Sequence, residues 1–109
     1  MRSAFLPGAM APRSFKRTVS LALGEHLVAR GKISAAAGAP PNCLQARVVV
    51  QLKVGKRWKK VASASADAAG AYQVSLRDVP GTYRSVVKQV SAGRDTCLGA
   101  VSRAKRYQG

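Results

Sequence analysis

Few side chains in this 109-residue chain could carry out catalysis. Its one histidine, His26, follows Glu25 in a predicted turn, and the remaining acids are Asp67, Asp78 and Asp95. A Ser-His-Asp hydrolase needs a nucleophile beside its histidine, and no Gly-x-Ser-x-Gly segment supplies one. Glycoside hydrolysis needs paired carboxylates, but Asp67 and Asp78 stand beside turn residues, where Asp is common for backbone reasons. We therefore expect no enzymatic activity, no catalytic residue, no cofactor and no small-molecule substrate.

The two cysteines, Cys43 and Cys97, are 54 positions apart. They form no Cys-x-x-Cys pair and have no histidine nearby, so their spacing does not fit a zinc site and we expect no metal. In an oxidising compartment they would form one disulfide, which the loop-entropy model makes worth roughly 4 kcal/mol. The alternative is a pair of buried thiols in a cytosolic protein. The β pattern between them favours the disulfide.

Positive charge dominates the composition. Lysine and arginine number 19 against four acids, for a formal net charge of +15, and such a field attracts polyanions. Part of this charge is concentrated on one predicted hairpin, whose candidate polyanion-binding residues are Lys53, Lys56, Arg57, Lys59 and Lys60, with Trp58 as a stacking surface. Neighbouring strands could add Arg47, Arg77, Arg84 and Lys88. The alternative is a solvated face whose lysines keep strand edges from aggregating.

The chain is predicted to hold one domain with a tail at each end. Residues 1–16 lack periodicity and are predicted to be a disordered tail, in which Ala9-Met10-Ala11 resembles a signal-peptidase site, so a signal-peptide remnant stays an alternative. Residues 17–103 form the predicted β domain, and residues 104–109 a frayed basic tail. No apolar run is long enough for a transmembrane helix.

Hydrophobic residues alternate along most of the domain, which indicates β-strands. The pattern predicts seven short strands and no helix, including a first strand from Arg17 to Leu23, a second over 27–35 and a last over 96–103. On the hairpin strand, strict alternation puts Trp58 and Val61 on opposite faces. We therefore expect either a bulge near Lys59-Lys60 or a tryptophan that covers the rim of the core.

The stretch from Asp67 to Tyr83 reads as a turn, a strand, a second turn and another strand. Asp67 can cap the first turn, Gly70 supplies a positive φ, and Tyr72 packs inward. Gly81 follows a proline in the second turn and leads into Tyr83. These residues are interpreted as determinants of strand register rather than as ligand contacts.

Several motifs together resemble a known class of module. Their order is Gly31-x-Ile33, Val48-x-Val50, Asp67-x-x-Gly70-x-Tyr72-x-Val74 and Gly81-x-Tyr83. This order resembles the carboxypeptidase-regulatory-like, or prealbumin-like, modules of secreted and surface proteins. Gly55-x-x-Trp58 followed by Ser65-x-Asp67-x-x-Gly70-x-Tyr72 also looks like the single-disulfide immunoglobulin-like modules of bacterial exported proteins. The resemblance implies an all-β, seven-stranded antiparallel two-sheet sandwich without catalytic activity.

Two functional hypotheses follow. The first is a secreted or cell-surface module with a structural, spacer or adhesive role, which binds an anionic polymer, such as a cell-wall polymer or polysaccharide, through its basic face. The second is an intracellular nucleic-acid-binding β-domain, for which the charge is the argument. Anionic membrane headgroups are a further polyanion that the sequence does not separate from these. The oligomeric state is left open.

Overall fold

Twelve β-strands form the regular structure of residues 12–108, the part of the chain that this computed structural model describes. They are β1 (Ser14–Phe15), β2 (Arg17–Val19), β3 (Ala22–Gly24), β4 (Val28–Ala35), β5 (Arg47–Val54), β6 (Arg57–Ser65), β7 (Ala71–Ser75), β8 (Gly81–Val87), β9 (Val90–Ala92), β10 (Asp95–Cys97), β11 (Ala100–Val101) and β12 (Lys105–Tyr107). One 3-10 turn, Pro41–Cys43, interrupts the loop between β4 and β5. The fold is therefore all-β, as the sequence predicts.

The strands hydrogen-bond into three sheets. In the four-stranded sheet, β4 pairs with β2 and β3 along one edge and with β7 along the other. In the five-stranded sheet, the order is β11-β8-β5-β6, and β12 also pairs with β8. A small third sheet has the order β1-β10-β9, with β1 parallel to β10.

Two predicted strands are each divided in the structure. The predicted first strand breaks at Ser20 and Leu21, where the Ser20 hydroxyl accepts the backbone N–H of Lys32 at 2.9 Å and so takes the place of a ladder acceptor. The predicted last strand breaks after Cys97, and its two parts pair in different sheets. The structure thus does not confirm the predicted seven strands in two sheets, since residues 12–108 contain twelve strands in three sheets.

Hydrophobic side chains from the two larger sheets pack against each other to form the core. Val19, Ile33 and Tyr72 of the four-stranded sheet lie in one cluster with Val48 and Val87 of the five-stranded sheet. A second cluster joins residues from both sides in the same way; its buried members are Leu21, Leu27, Ala29, Val50 and Tyr83. The alternation that predicts β4 and β5 therefore has its cause in burial of one face of each sheet.

The disulfide lies at one end of this core, beside the small third sheet. The Cα atoms of Cys43 and Cys97 are 5.3 Å apart and their sulfurs are bonded. Phe15 of β1 packs with both half-cystines.

The paired strands extend beyond the predicted domain of 17–103, since β1 precedes it and β12 occupies part of the predicted frayed tail. The predictions for residues 1–11 lie outside the described residues.

The β5–β6 hairpin contains a bulge that resets which face each side chain occupies. Val50 pairs with Ala62, whereas the next residue, Gln51, pairs with Lys60, so Val61 is the extra residue of β6. The bulge follows the predicted Lys59-Lys60 position by one residue. It allows Ala62 to face the core while Trp58 lies on the opposite face of the sheet, away from the rim of the core.

Two tyrosines and one turn set the position of the strands that follow the hairpin. Asp67 Oδ1 accepts the backbone N–H groups of Ala69 and Ala71, and Gly70 has a φ of 86°. The hydroxyl of Tyr72 donates to the carbonyl of Ser20 at 2.5 Å, which ties β7 to the first strand region over Gly31 of β4. The hydroxyl of Tyr83 donates to the carbonyl of Val79, four residues upstream, at 2.6 Å.

Candidate polyanion-binding face

The acidic side chains lie apart along the chain, three in turns or loops and Asp95 at the start of β10, and three of them have structural partners. Asp67 caps its turn, Asp78 accepts the hydroxyl of Tyr107, and Asp95 forms a salt bridge with Arg13 at 3.2 Å. Glu25 lies in an exposed turn. Within residues 12–108 no three metal-ligating side chains lie close enough to hold an ion.

The five-stranded sheet carries positive charge without any acidic residue in its strands. Its eight cationic residues are Arg47, Lys53, Arg57, Lys59, Lys60, Arg84, Lys105 and Arg106. Lys56 adds a ninth charge in the β5–β6 turn. Because no carboxylate of these strands competes for the cations, the sheet presents an uncompensated positive field to solvent.

The hairpin register divides the predicted polyanion-binding residues between two faces. Lys53 pairs with Trp58, and Lys60 pairs with Gln51, which places these side chains on the outer face, away from the core. Lys59 pairs with Leu52, whose side chain packs against the core, so Lys59 lies on the other face. The charges adjoin in sequence but do not form a single cluster, because successive side chains of a strand alternate.

Lys56 and Arg57 occupy the tip of the hairpin. Lys56 lies in the two-residue turn, and Arg57 pairs with Val54 on the same side of the hairpin as Lys59. Both are exposed. They can approach a long polymer but do not belong to the outer face.

Trp58 and Arg84 form the centre of the outer face. The Arg84 guanidinium carbon lies 4.2 Å from the centroid of the Trp58 ring, and its Nε donates to Gln51 Oε1 at 2.7 Å. Arg84 therefore crosses β5 and is held from two sides by a cation–π contact and a hydrogen bond. Its Nη1 and Nη2 groups have no protein acceptor among residues 12–108, so they can donate to a bidentate anion.

Arg47 lies at the opposite end of the same face. Its Nη1 donates to Ser63 Oγ at 2.7 Å. Beside it is a shallow depression of about 310 Å³, whose lining includes Val49, Lys60, Lys88 and Val90. Together with the Trp58–Arg84 pair, these cations extend the outer face along the length of the sheet. We call the set Arg47, Lys53, Trp58, Lys60 and Arg84 the basic face.

The side chains of the basic face are suited to binding several anionic groups. Each cation that contacts a phosphate, sulfate or carboxylate of a polymer releases a counterion. The affinity for the polymer therefore rises as the salt concentration falls. A flat sheet face spaces its cations along and across strands, which matches a repeating polymer better than a compact ligand. The tryptophan ring, half-buried under Arg84, adds an apolar surface at the centre.

Sequence reasoning identified most of this face but not the contacts that organise it. Arg84 is predicted as an outward neighbour of the hairpin, whereas its stacking on Trp58 depends on the bulge at Val61 and on strand order. Gln51, which fixes Arg84, carries no sequence signal that separates it from any other outward residue. Lys105 and Arg106 belong to the sheet because β12 pairs with β8, although the sequence predicts a frayed tail there.

Comparison of the chain with protein-family models, with curated proteins and with solved structures found no match. Function is therefore inferred from the residues of the chain itself. Among residues 12–108, the structure has no helix with the length and apolar character needed to span a bilayer.

Proposed function

We propose that this protein is a non-catalytic, secreted or cell-surface module that binds an anionic cell-surface polymer through its basic face. The observation that carries the proposal is the acid-free five-stranded sheet with Arg84 held over Trp58 and its terminal nitrogens available. Several cations on one rigid sheet can contact successive charges of one polymer chain. The affinity of several linked contacts exceeds the affinity of each contact alone.

The proposed module type is the immunoglobulin-like or prealbumin-like sandwich that the sequence resembles. Two features support it. When β2 with β3, and β11 with β12, are each counted as one interrupted strand, the two larger sheets contain seven strands that face each other across the core. The Tyr83 hydroxyl bond to Val79, at the start of β8, has the form of the tyrosine corner found in such sandwiches.

The proposed compartment rests on the disulfide. A bond between Cys43 and Cys97 persists in oxidising compartments and is rare in the cytosol. This favours the extracytoplasmic module over an intracellular nucleic-acid-binding domain, since the charge supports both equally. The polymer we propose is accordingly a polysaccharide or wall polymer.

The test is a binding titration with three polymers at several salt concentrations. Heparin represents a sulfated polysaccharide, polygalacturonate a carboxylated one, and oligo(dT) a single-stranded nucleic acid. Trp58, the one tryptophan, reports binding at the basic face through its fluorescence. We expect the logarithm of the affinity for each bound polymer to fall linearly with the logarithm of salt concentration.

Two variants with the same change of charge separate the basic face from general positive charge. Arg84→Gln removes the cation stacked on Trp58, whereas Arg30→Gln removes an exposed cation of the four-stranded sheet. We expect the first to weaken polysaccharide binding about fivefold or more, and the second to weaken it less than twofold. Equal effects of the two variants would show that binding has no defined face. Much tighter binding of oligo(dT) than of both polysaccharides would support the nucleic-acid function instead.

A further inference from the structure

A second surface feature is an apolar groove on the other side of the β5–β6 hairpin. It lies between β6 and the segment that follows β7, and has a volume of about 370 Å³. Leu52, Leu76 and the ring of Tyr83 contribute its deeper wall. These side chains lie on the core side of the sheet, so the groove differs from the basic face and shares only Lys60 with it.

Three exposed valines surround the groove. Val54, Val61 and Val79 have 54%, 39% and 42% of their surface exposed and all line it. They are three of the five large apolar side chains most exposed in the described part of the chain. The bulge explains Val61, since an extra residue in β6 is out of register with the core. Clustered exposed apolar side chains mark a binding surface more often than scattered ones do.

Cations line the groove, whereas Asp78, which stands between the lining residues Arg77 and Val79 in the sequence, accepts the hydroxyl of Tyr107. Lys59, Lys60 and Arg77 line the groove together with the apolar residues. Lys59 is the hairpin lysine that the register removes from the basic face, and it lines this groove together with Arg77. None of the chain's four acids is part of the lining.

We propose that this groove binds a single-chain anionic amphiphile, with its alkyl chain against the valines and leucines and its anionic head between Lys59 and Arg77. The groove is complementary to both parts of such a ligand: its apolar side chains suit a methylene chain, and the cations that line it suit a carboxylate. This ligand differs from the polymer of the basic face. It is a bound ligand and so is compatible with the sequence-based expectation of no small-molecule substrate.

The first experiment compares ligands by isothermal titration calorimetry on the whole chain. Sodium decanoate below its micelle concentration is the probe, with butyrate as the short anion and decyltrimethylammonium as the cation of equal chain length. We expect decanoate to bind at one site. Butyrate should bind at least roughly tenfold more weakly, because it lacks most of the methylenes that the groove buries. Decyltrimethylammonium should show no saturable binding.

Matched variants locate the site. The double substitution Val61→Ser and Val79→Ser removes apolar surface at the groove, whereas Val90→Ser and Val101→Ser removes it from the two other exposed valines. We expect the first pair to weaken decanoate binding roughly tenfold and the second pair less than twofold. Arg77→Gln should weaken it several-fold, with Arg30→Gln as the control of equal charge.

The outcomes distinguish this proposal from its alternatives. Equal binding of butyrate and decanoate, or of the two decyl ligands of opposite charge, would overturn it. Binding to anionic phosphatidylglycerol vesicles without binding to monomeric decanoate would also overturn it, in favour of a membrane surface. The groove variants should leave heparin binding unchanged, and Arg84→Gln should leave decanoate binding unchanged, so each proposal can fail without the other.

Discussion

Arg17 donates a hydrogen bond from Nη1 to the backbone carbonyl of Cys43 at 3.0 Å. The same guanidinium reaches the carbonyl of Cys97, the other half-cystine, at 3.3 Å, and those of Lys88 and Leu98 at 2.7 Å each. Arg17 thus joins β2 to the backbone on both sides of the disulfide. Its burial lowers the pKa of the guanidinium, which nevertheless remains charged at every physiological pH.

Replacement of Arg17 should destabilise the fold strongly. Arg17→Ala leaves four carbonyl groups without this donor, two of them in the fully buried Cys43 and Cys97, and we expect a loss of about 3 kcal/mol in the free energy of unfolding. Urea denaturation followed by Trp58 fluorescence measures this loss. Lys16→Ala, a substitution of the exposed neighbour, is the control and should change stability by less than about 0.5 kcal/mol. Similar midpoints for the two variants would contradict the role assigned to Arg17.

Loss of the disulfide should have an effect of similar size. The Cys43–Cys97 bond closes a long loop, so the double variant Cys43→Ala and Cys97→Ala should lose roughly 4 kcal/mol of unfolding free energy. Mass spectrometry of the isolated protein should find both thiols oxidised. If the protein as isolated contains two free thiols, or if reduction leaves its denaturation midpoint unchanged, the argument for an oxidising compartment fails.

Gly31 should be the glycine least tolerant of a side chain. A Cβ at this position would overlap the backbone carbonyl of Ser20 and lie 2.7 Å from the hydroxyl of Tyr72. We expect Gly31→Ala to cost about 3 kcal/mol, because backbone on the adjoining strand cannot move without breaking its pairing. Gly24→Ala is a suitable control, since its nearest contact would be an ordinary 3.7 Å. Thermal denaturation of the two variants compares the effects, and equal melting temperatures would contradict the close approach.

The sequence predicts the parts of this fold that depend on local periodicity. Alternation in β4 and β5 follows from burial of one face, and the turn at Asp67 follows from hydrogen bonds within five residues. The division at Ser20 and the pairing of β12 with β8 depend on partners far along the chain, which periodicity does not encode. Leu27 shows the same limit: it is fully buried, as alternation predicts, yet lies in a turn at φ 54° rather than in a strand.

The candidate site is predictable in composition but not in arrangement. The hairpin charges are visible in the sequence, whereas the single extra residue, Val61, decides which cations of β6 lie on the outer face. Alternation along β2 places Arg17 on the same inward face as Val19. A charged side chain is uncommon in a core, so the sequence alone does not predict its burial. Its partners are carbonyl groups, and these carry no side-chain signal in the sequence.

Alkaline pH should destabilise the protein through its tyrosines. Burial raises the pKa of Tyr72, and burial followed by the charge of Asp78 raises that of Tyr83. The hydrogen bond to Asp78 is the main cause of a raised pKa at Tyr107. A pKa raised in the folded state means that the unfolded chain releases these protons first. The stabilisation is therefore complete below the unfolded value near 10.0 and declines as the pH rises above it.

Two measurements test this pH dependence. The absorbance of tyrosinate at 295 nm, followed from about pH 8 to 12, should show a midpoint above that of the same protein in concentrated guanidinium chloride. Urea denaturation over the same range should show falling stability above about pH 10. Tyr107→Phe removes one of the three tyrosine hydroxyls whose pKa is raised and keeps the ring that packs against the core. The titration of this variant should therefore retain two late-ionising tyrosines. Native and denatured titrations that coincide would contradict the raised pKa values that burial gives Tyr72 and Tyr83.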